Sequence, residues 1–152
     1  MAVPSLLGAI VELYKTSTLN DAVNLRTLIG NDSMYGDRLP SNAGQGIKPF
    51  VVLSEIRTQI LNEAKSGRKR ITVRNVFVTF FVFGKGREEV EAVLENLEDL
   101  YTDGAAQLQI TNRVHNATRI ADRSQSIGSD SWEGQLTLTF MLTKTQEELP
   151  CL

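Results

Sequence analysis

The segment that most constrains the fold runs from Arg70 to Phe83, because it is apolar on both faces of the strand that it predicts. Alternate side chains of a strand point to opposite faces of the sheet. One face carries Val73, Asn75, Phe77, Thr79, Phe81 and Phe83, and the other carries Arg74, Val76, Val78, Phe80 and Val82. Such a strand is expected at the centre of a sheet, covered by helices on one side and by something else on the other.

Phe50 to Ile60 predicts the antiparallel partner of this strand. Its alternation places Phe50, Val52, Ser54, Ile56, Thr58 and Ile60 on one side and Glu55, Arg57 and Gln59 on the other. The intervening segment NEAKSGRKR is polar and basic around Gly67, which is typical of an exposed turn. The sequence therefore predicts a long hairpin with a basic tip at Arg68, Lys69 and Arg70.

Three segments have the apolar spacing of helices. The first is Ser5 to Lys15 and the third is Glu88 to Tyr101. The second contains Val23, Leu25, Leu28 and Ile29; Thr18 or Asn20 is expected to cap its start, and Gly30 ends it. Between the second helix and the hairpin lies a loop rich in Gly, Pro and Asn, with a short extended piece at Met34 to Leu39.

After the third helix, Leu108 and Ile110 predict a strand, RVHNATRIADRSQSIGSDS reads as a mostly polar segment, and Trp132 to Thr143 predicts the last strand. The order of elements predicts an α+β domain with a mainly antiparallel sheet of about four strands and helices packed on one face. A chain of 152 residues predicts one domain, spanning residues 1–152.

Composition excludes several functional classes. Lys and Arg number 16 against 18 Asp and Glu, so the chain lacks the basic balance of a dedicated nucleic-acid binder. The longest apolar run, Val76 to Phe83, is too short to span a membrane, and the N-terminus lacks the features of a signal peptide. A lone cysteine, Cys151, provides no disulfide framework. We therefore expect a protein without a membrane partner.

Residues for catalysis or metal binding are also scarce. His115 is the only histidine, so neither a nucleophilic triad nor a His and Cys metal site has its residues. The turn Gly84-Lys85-Gly86-Arg87 lacks the spacing of a phosphate-binding loop, and the glutamates that follow it would repel an anion. We expect no enzymatic activity, no cofactor and no metal.

The order of elements resembles a known family. A helical pair, the passage Tyr-Gly-Asp-Arg-Leu-Pro … Pro-Phe-Val-Val-Leu, a long hairpin, the helix REEVEAVLENLEDLYTDG and the strand WEGQLTLTFML are similar to those of tailed-bacteriophage minor tail, or tail-completion, proteins. The chain resembles in particular the tail terminator group. That family implies a structural virion protein that forms a ring, usually a hexamer, on the head-proximal end of the tail tube.

The resemblance also implies partners and a location. The ring stops growth of the tube, contacts the tail tube protein and offers a surface to the head-tail connector, while DNA passes through its lumen without specific binding. Assembly takes place in the cytoplasm of the host bacterium. In such a ring the strand face around Val76, Val78, Phe80 and Val82 is covered either by a neighbouring subunit or by the N-terminal helices.

The basic hairpin completes the expected interface. Arg68, Lys69 and Arg70 would set its register against an acidic partner surface, and Arg74 follows on the same strand. Two other readings stay open. One is a head-completion or neck connector protein, which would also form a ring. The other is a small bacterial protein-interaction or ligand-binding domain, which a monomeric state or a deep apolar pocket would support.

Overall fold

A computed structural model of the chain describes residues 6–30, 33–35, 49–66, 69–108, 113–128 and 131–147. Its elements in chain order are α1 (Leu6–Thr16), α2 (Asn20–Ile29), β1 (Met34–Tyr35), β2 (Phe50–Ser66), β3 (Lys69–Gly84), α3 (Arg87–Asp103), a short 3-10 helix (Ala105–Gln107), β4 (Arg113–Gly128) and β5 (Ser131–Glu147). The predicted α+β class is confirmed.

The strands form one sheet in the order β1-β2-β3-β5-β4. Every neighbouring pair is antiparallel except β1 with β2, where Met34 pairs with Val51 in parallel. The four long strands match the predicted number, and β1 is the start of the extended piece expected at Met34 to Leu39. The rest of that piece lies outside the described residues.

The polar segment after α3 is a strand, which corrects the prediction. Leu108 follows the 3-10 helix, Ile110 lies outside the described residues, and β4 begins at Arg113. As an edge strand, β4 pairs through its backbone with β5 alone, so it does not need two apolar faces. Three register shifts along β4 also disrupt the alternation by which a strand is recognised.

Two irregularities in β2 change its register against β3. Phe50 pairs with Phe83, but beyond a shift between Glu55 and Arg57 the pairing moves by one residue, so that Thr58 pairs with Val76. A bulge adds one residue to one strand and reverses the alternation that follows it. The strict alternation predicted through Ile60 is therefore wrong after Glu55.

The core lies between the sheet and the three helices. The buried positions of α3 are those of the predicted stripe: Val90, Val93, Leu94, Leu97, Leu100 and Tyr101. α2 differs from prediction, because Val23 is 44% exposed and Ala22 is buried in its place. Leu19 precedes α2 without a side-chain cap, so the capping by Thr18 or Asn20 is also wrong.

Gly134 sets the approach of α3 to β5. A Cβ atom at this position would lie 2.6 Å from Val90 Cγ1 and 2.7 Å from Leu94 Cδ1, closer than carbon atoms pack. The absence of a side chain therefore allows the first half of α3 to rest directly on the strand. This contact fixes which face of the sheet the helices cover.

Candidate subunit interface

The four apolar residues expected at a subunit interface lie in the core of the chain itself. Val76, Val78, Phe80 and Val82 are 4%, 0%, 0% and 0% exposed. The Phe80 ring stacks on Tyr101 of α3 with ring centroids 5.3 Å apart, and Tyr101 meets Phe140 of β5 edge to face.

This placement corrects the interface prediction for those four residues. The sequence left two covers open, a neighbouring subunit or the N-terminal helices, and the structure provides a cover from within the chain. α3 supplies much of it, and α1 is joined to α3 by a hydrogen bond that the Tyr101 hydroxyl donates to the Ile10 carbonyl oxygen at 2.6 Å. Residues this deeply buried have no surface left for a partner.

The opposite face of the sheet is the one that the described helices leave uncovered. Five of its apolar side chains lie on β2 and β3 and are half-buried: Phe50, Val52, Phe77, Phe81 and Phe83. We call these five residues the open aromatic face. Ile71 and Val73 of β3 and Met141 of β5 lie on the same face and are also half-buried. The Phe50 and Phe83 rings stack at 5.3 Å, and Tyr35 of β1 meets Phe50 edge to face at 6.4 Å.

The open aromatic face has a polar border along β5. Phe81 pairs with Gln135 and Phe83 with Glu133, while the Thr79 and Thr137 hydroxyls lie 3.0 Å apart and share a hydrogen bond. An apolar area with a polar rim is the usual composition of a protein-protein contact. The alternation of β3 showed this face in the sequence, but not that the helices pack on the other one.

The basic residues of the hairpin lie at the end of the sheet. Lys69 and Arg70 begin β3, and Arg68 lies outside the described residues. Arg70 pairs directly with Lys65 of β2. Arg74, paired with Leu142, is half-buried, and its Nε atom is buried without a hydrogen-bond partner in the described part of the chain. Lys69 and Arg70 are thus at the far end of β3 from the four apolar residues of the core, whereas Arg74 lies on the same face of the strand as Val76, two residues away.

The outer face of α3 concentrates negative charge. Its exposed carboxylates follow one line along the helix: Glu88, Glu91, Glu95, Asp99 and Asp103. We call this line the carboxylate stripe. Arg87 Nε lies 2.8 Å from Glu91 Oε1. Partial burial raises the pKa of Asp21 on α2, and the nearby Asp99 and Asp103 carboxylates raise this pKa further.

The turn before α3 is occupied by the chain's own carboxylate. The Lys85 backbone N–H donates a hydrogen bond to Glu89 Oε2 at 3.2 Å, in the place where a phosphate-binding loop would hold an anion. In the described ranges, no three His, Cys, Asp or Glu side chains are grouped as metal ligands would be. No helix of these ranges is long and apolar enough to cross a membrane.

Comparison with known proteins gives a likeness in structure. No known protein-family model matches the chain, and no curated protein matches it. A chain from a solved structure described as the virion of a native gene transfer agent particle superposes with a TM-score of 0.64 at 15% sequence identity. The match covers 91% of this chain and 95% of that chain. At this identity the likeness shows a shared fold over almost the whole length of both.

Proposed function

We propose that this chain is a structural virion protein of the tailed-phage type, a tail terminator whose single domain, residues 1–152, forms a ring on the head-proximal end of the tail tube. The open aromatic face carries this proposal, because it gives the domain an apolar surface on the side away from its helices. The shared fold with a chain of a phage-like virion particle supports it. The ring stops tube growth and offers its other side to the head-tail connector.

The two-layer architecture suits a ring. Identical subunits close into a ring when one surface of each meets a different surface of the next. This domain presents the open aromatic face on one side and the carboxylate stripe of α3 on the other. We place the open aromatic face against the neighbouring copy, in the role that the sequence assigned to the opposite face of β3.

The energy of this contact predicts how assembly depends on concentration. A fully exposed Phe or Val gains about 1.5–3 kcal/mol on burial, and these five residues are already half-buried. Association itself costs about 4–15 kcal/mol. One contact is therefore weak, and closure of the ring, or a tube end that collects subunits, has to supply the rest.

The charge balance is compatible with DNA passage. A lumen with strong positive charge would retain the passing phosphates, whereas the chain has a net charge of -2. The proposed location is the virion, after assembly in the host cytoplasm with the tail tube protein and the connector.

The test compares two substitutions by light scattering over a range of concentrations. Phe81→Thr removes an aromatic ring from the open face, and Val23→Thr removes a 44% exposed side chain from α2 as the control. We expect Phe81→Thr to keep the monomer folded and to shift assembly to higher concentration, while Val23→Thr assembles as the wild type does. Rings that persist in Phe81→Thr would exclude this face, and binding to a portal-side protein in place of the tube would favour a neck protein.

A further inference from the structure

The carboxylate stripe on α3 repels itself. Glu91, Glu95, Asp99 and Asp103 follow one another at intervals of four residues, which places neighbouring carboxylates on the same side of the helix. Like charges at this spacing destabilise a helix. Arg87 offsets part of the repulsion by pairing with Glu91. The three residues that follow Glu91 in the stripe stay exposed.

The end of the β2–β3 hairpin has the opposite charge. The described residues 63–66, 69–74 and 142–147 include five basic residues, Lys65, Lys69, Arg70, Arg74 and Lys144, against the two acidic residues Glu63 and Glu147. Lys65 and Arg70 are direct partners across the two strands. Lys69 is the direct partner of Glu147, and the region as a whole keeps an excess of basic over acidic residues. We call this region the basic hairpin end.

The basic hairpin end cannot reach the stripe of its own chain. Tyr101, near the C-terminal end of α3, stacks on Phe80, and α3 runs from there towards Gly84. Lys69 lies eleven residues before Phe80 on the same strand, which amounts to about 36 Å at about 3.3 Å per residue. Arg74, the basic residue of the hairpin end nearest to Phe80, still lies six residues before it, about 20 Å along the strand. We therefore expect the two charged regions to meet between different molecules.

We propose that the carboxylate stripe on α3 of one copy binds the basic hairpin end of the next copy. This inference rests on the proposed ring and names a second pair of surfaces within it. The two regions have opposite charge and lie on different parts of the chain, so the contact is between unlike surfaces and repeats from copy to copy. The repulsion within the carboxylate stripe is relieved when the two regions meet.

The test reverses charge on each side and then on both. Glu95→Lys with Asp99→Lys changes the stripe, and Lys69→Glu with Arg70→Glu changes the hairpin end. The stripe variant should fold, since the two introduced lysines would lie four residues from Glu91 and from Asp103, the favourable spacing of opposite charges. Single reversals provide a matched pair: Glu95→Lys in the stripe and Glu12→Lys on the exposed surface of α1.

Ring formation is measured by light scattering and negative-stain imaging, with circular dichroism to verify folding. We expect each double variant to need at least about tenfold more protein to assemble. In a mixture of the two double variants, an alternating ring has both of its contacts matched, because the reversed stripe meets the reversed hairpin end and the unchanged stripe meets the unchanged one, so assembly should return near the wild-type concentration. The chain with all four reversals should also assemble at the wild-type concentration. Glu12→Lys should leave assembly unchanged.

The outcomes separate this inference from the proposed function. Wild-type rings that survive the stripe and hairpin reversals would overturn the charged contact and leave the ring intact. Rings that form normally but no longer bind tail tube protein after the hairpin reversal would assign the hairpin end to the tube and overturn its pairing with α3. A wild-type chain that never assembles would overturn both.

Discussion

The hydroxyl of Tyr101 donates a hydrogen bond to the backbone carbonyl oxygen of Ile10 at 2.6 Å and so ties α3 to α1 across the centre of the core. The Tyr101 ring itself lies on Phe80 of the central strand. One residue thus joins the sheet to both helices, which is why the inner face of β3 is closed within the chain.

Replacing Tyr101 by Phe should lower the free energy of unfolding by about 1 kcal/mol, because a buried hydrogen bond is lost while the ring packing is kept. Thr16→Val is the matched control, since the Thr16 hydroxyl donates to the Glu12 carbonyl oxygen at 2.8 Å on an exposed surface where water replaces it. The control should change the unfolding free energy by less than about 0.5 kcal/mol. Urea denaturation compares the two, and equal losses would contradict the role of Tyr101.

Alkaline pH should weaken the fold through the same residue. Burial raises the pKa of Tyr101 well above its ordinary value of about 10. The unfolded chain then releases this proton at a lower pH than the folded chain, so stability is retained below about pH 10 and lost as the pH rises further. Urea denaturation of the wild type and Tyr101→Phe at about pH 9 and about pH 11 should show the difference between them shrinking at the higher pH. If the stability difference between the wild type and Tyr101→Phe were the same at both pH values, the titration of Tyr101 would not be the cause of the alkaline loss.

Adding a methyl group at Gly134 should destabilise the protein. In Gly134→Ala the new Cβ would meet Val90 and Leu94 at less than 3 Å, and overpacking of this kind costs about 1–3 kcal/mol. Gly86→Ala is the control, because its Cβ would meet nothing within 4 Å. Thermal unfolding should show a lower midpoint for Gly134→Ala than for Gly86→Ala. A midpoint unchanged by the first substitution would mean that α3 does not rest on β5 this closely.

Removing the charge of Asp99 should lower the pKa of Asp21. Partial burial raises this pKa first and the Asp99 carboxylate adds to the effect, so Asp99→Asn should move it towards the ordinary value. Glu88→Gln is the control, since Glu88 lies eleven residues from Asp99 on α3, about 16 Å along the helix axis. NMR titration of the Asp21 carboxyl carbon measures the pKa of Asp21 in both variants. If the pKa of Asp21 were the same in Asp99→Asn as in the wild type, the Asp99 carboxylate would not contribute to raising it.

The sequence predicted the elements whose residues alternate or repeat clearly. β3 and α3 have such patterns, and both were placed within two residues of their ends. β4 was missed, because an edge strand with polar residues and register shifts carries no apolar pattern. The two faces of β3 were also recognised. The sequence did not predict which of these two faces the helices cover, because both faces are apolar. The helices pack on the face where Gly134 leaves room for α3.

The most direct test of the proposed function is the mass of the wild-type chain by light scattering, with negative-stain imaging at the highest concentration. We expect the mass to rise with concentration to that of one closed oligomer, seen as a ring with a central channel, and we expect added tail tube protein to lower the concentration required. A mass that stays at that of a single chain at every concentration, with no rings and no binding to tube protein, would contradict it.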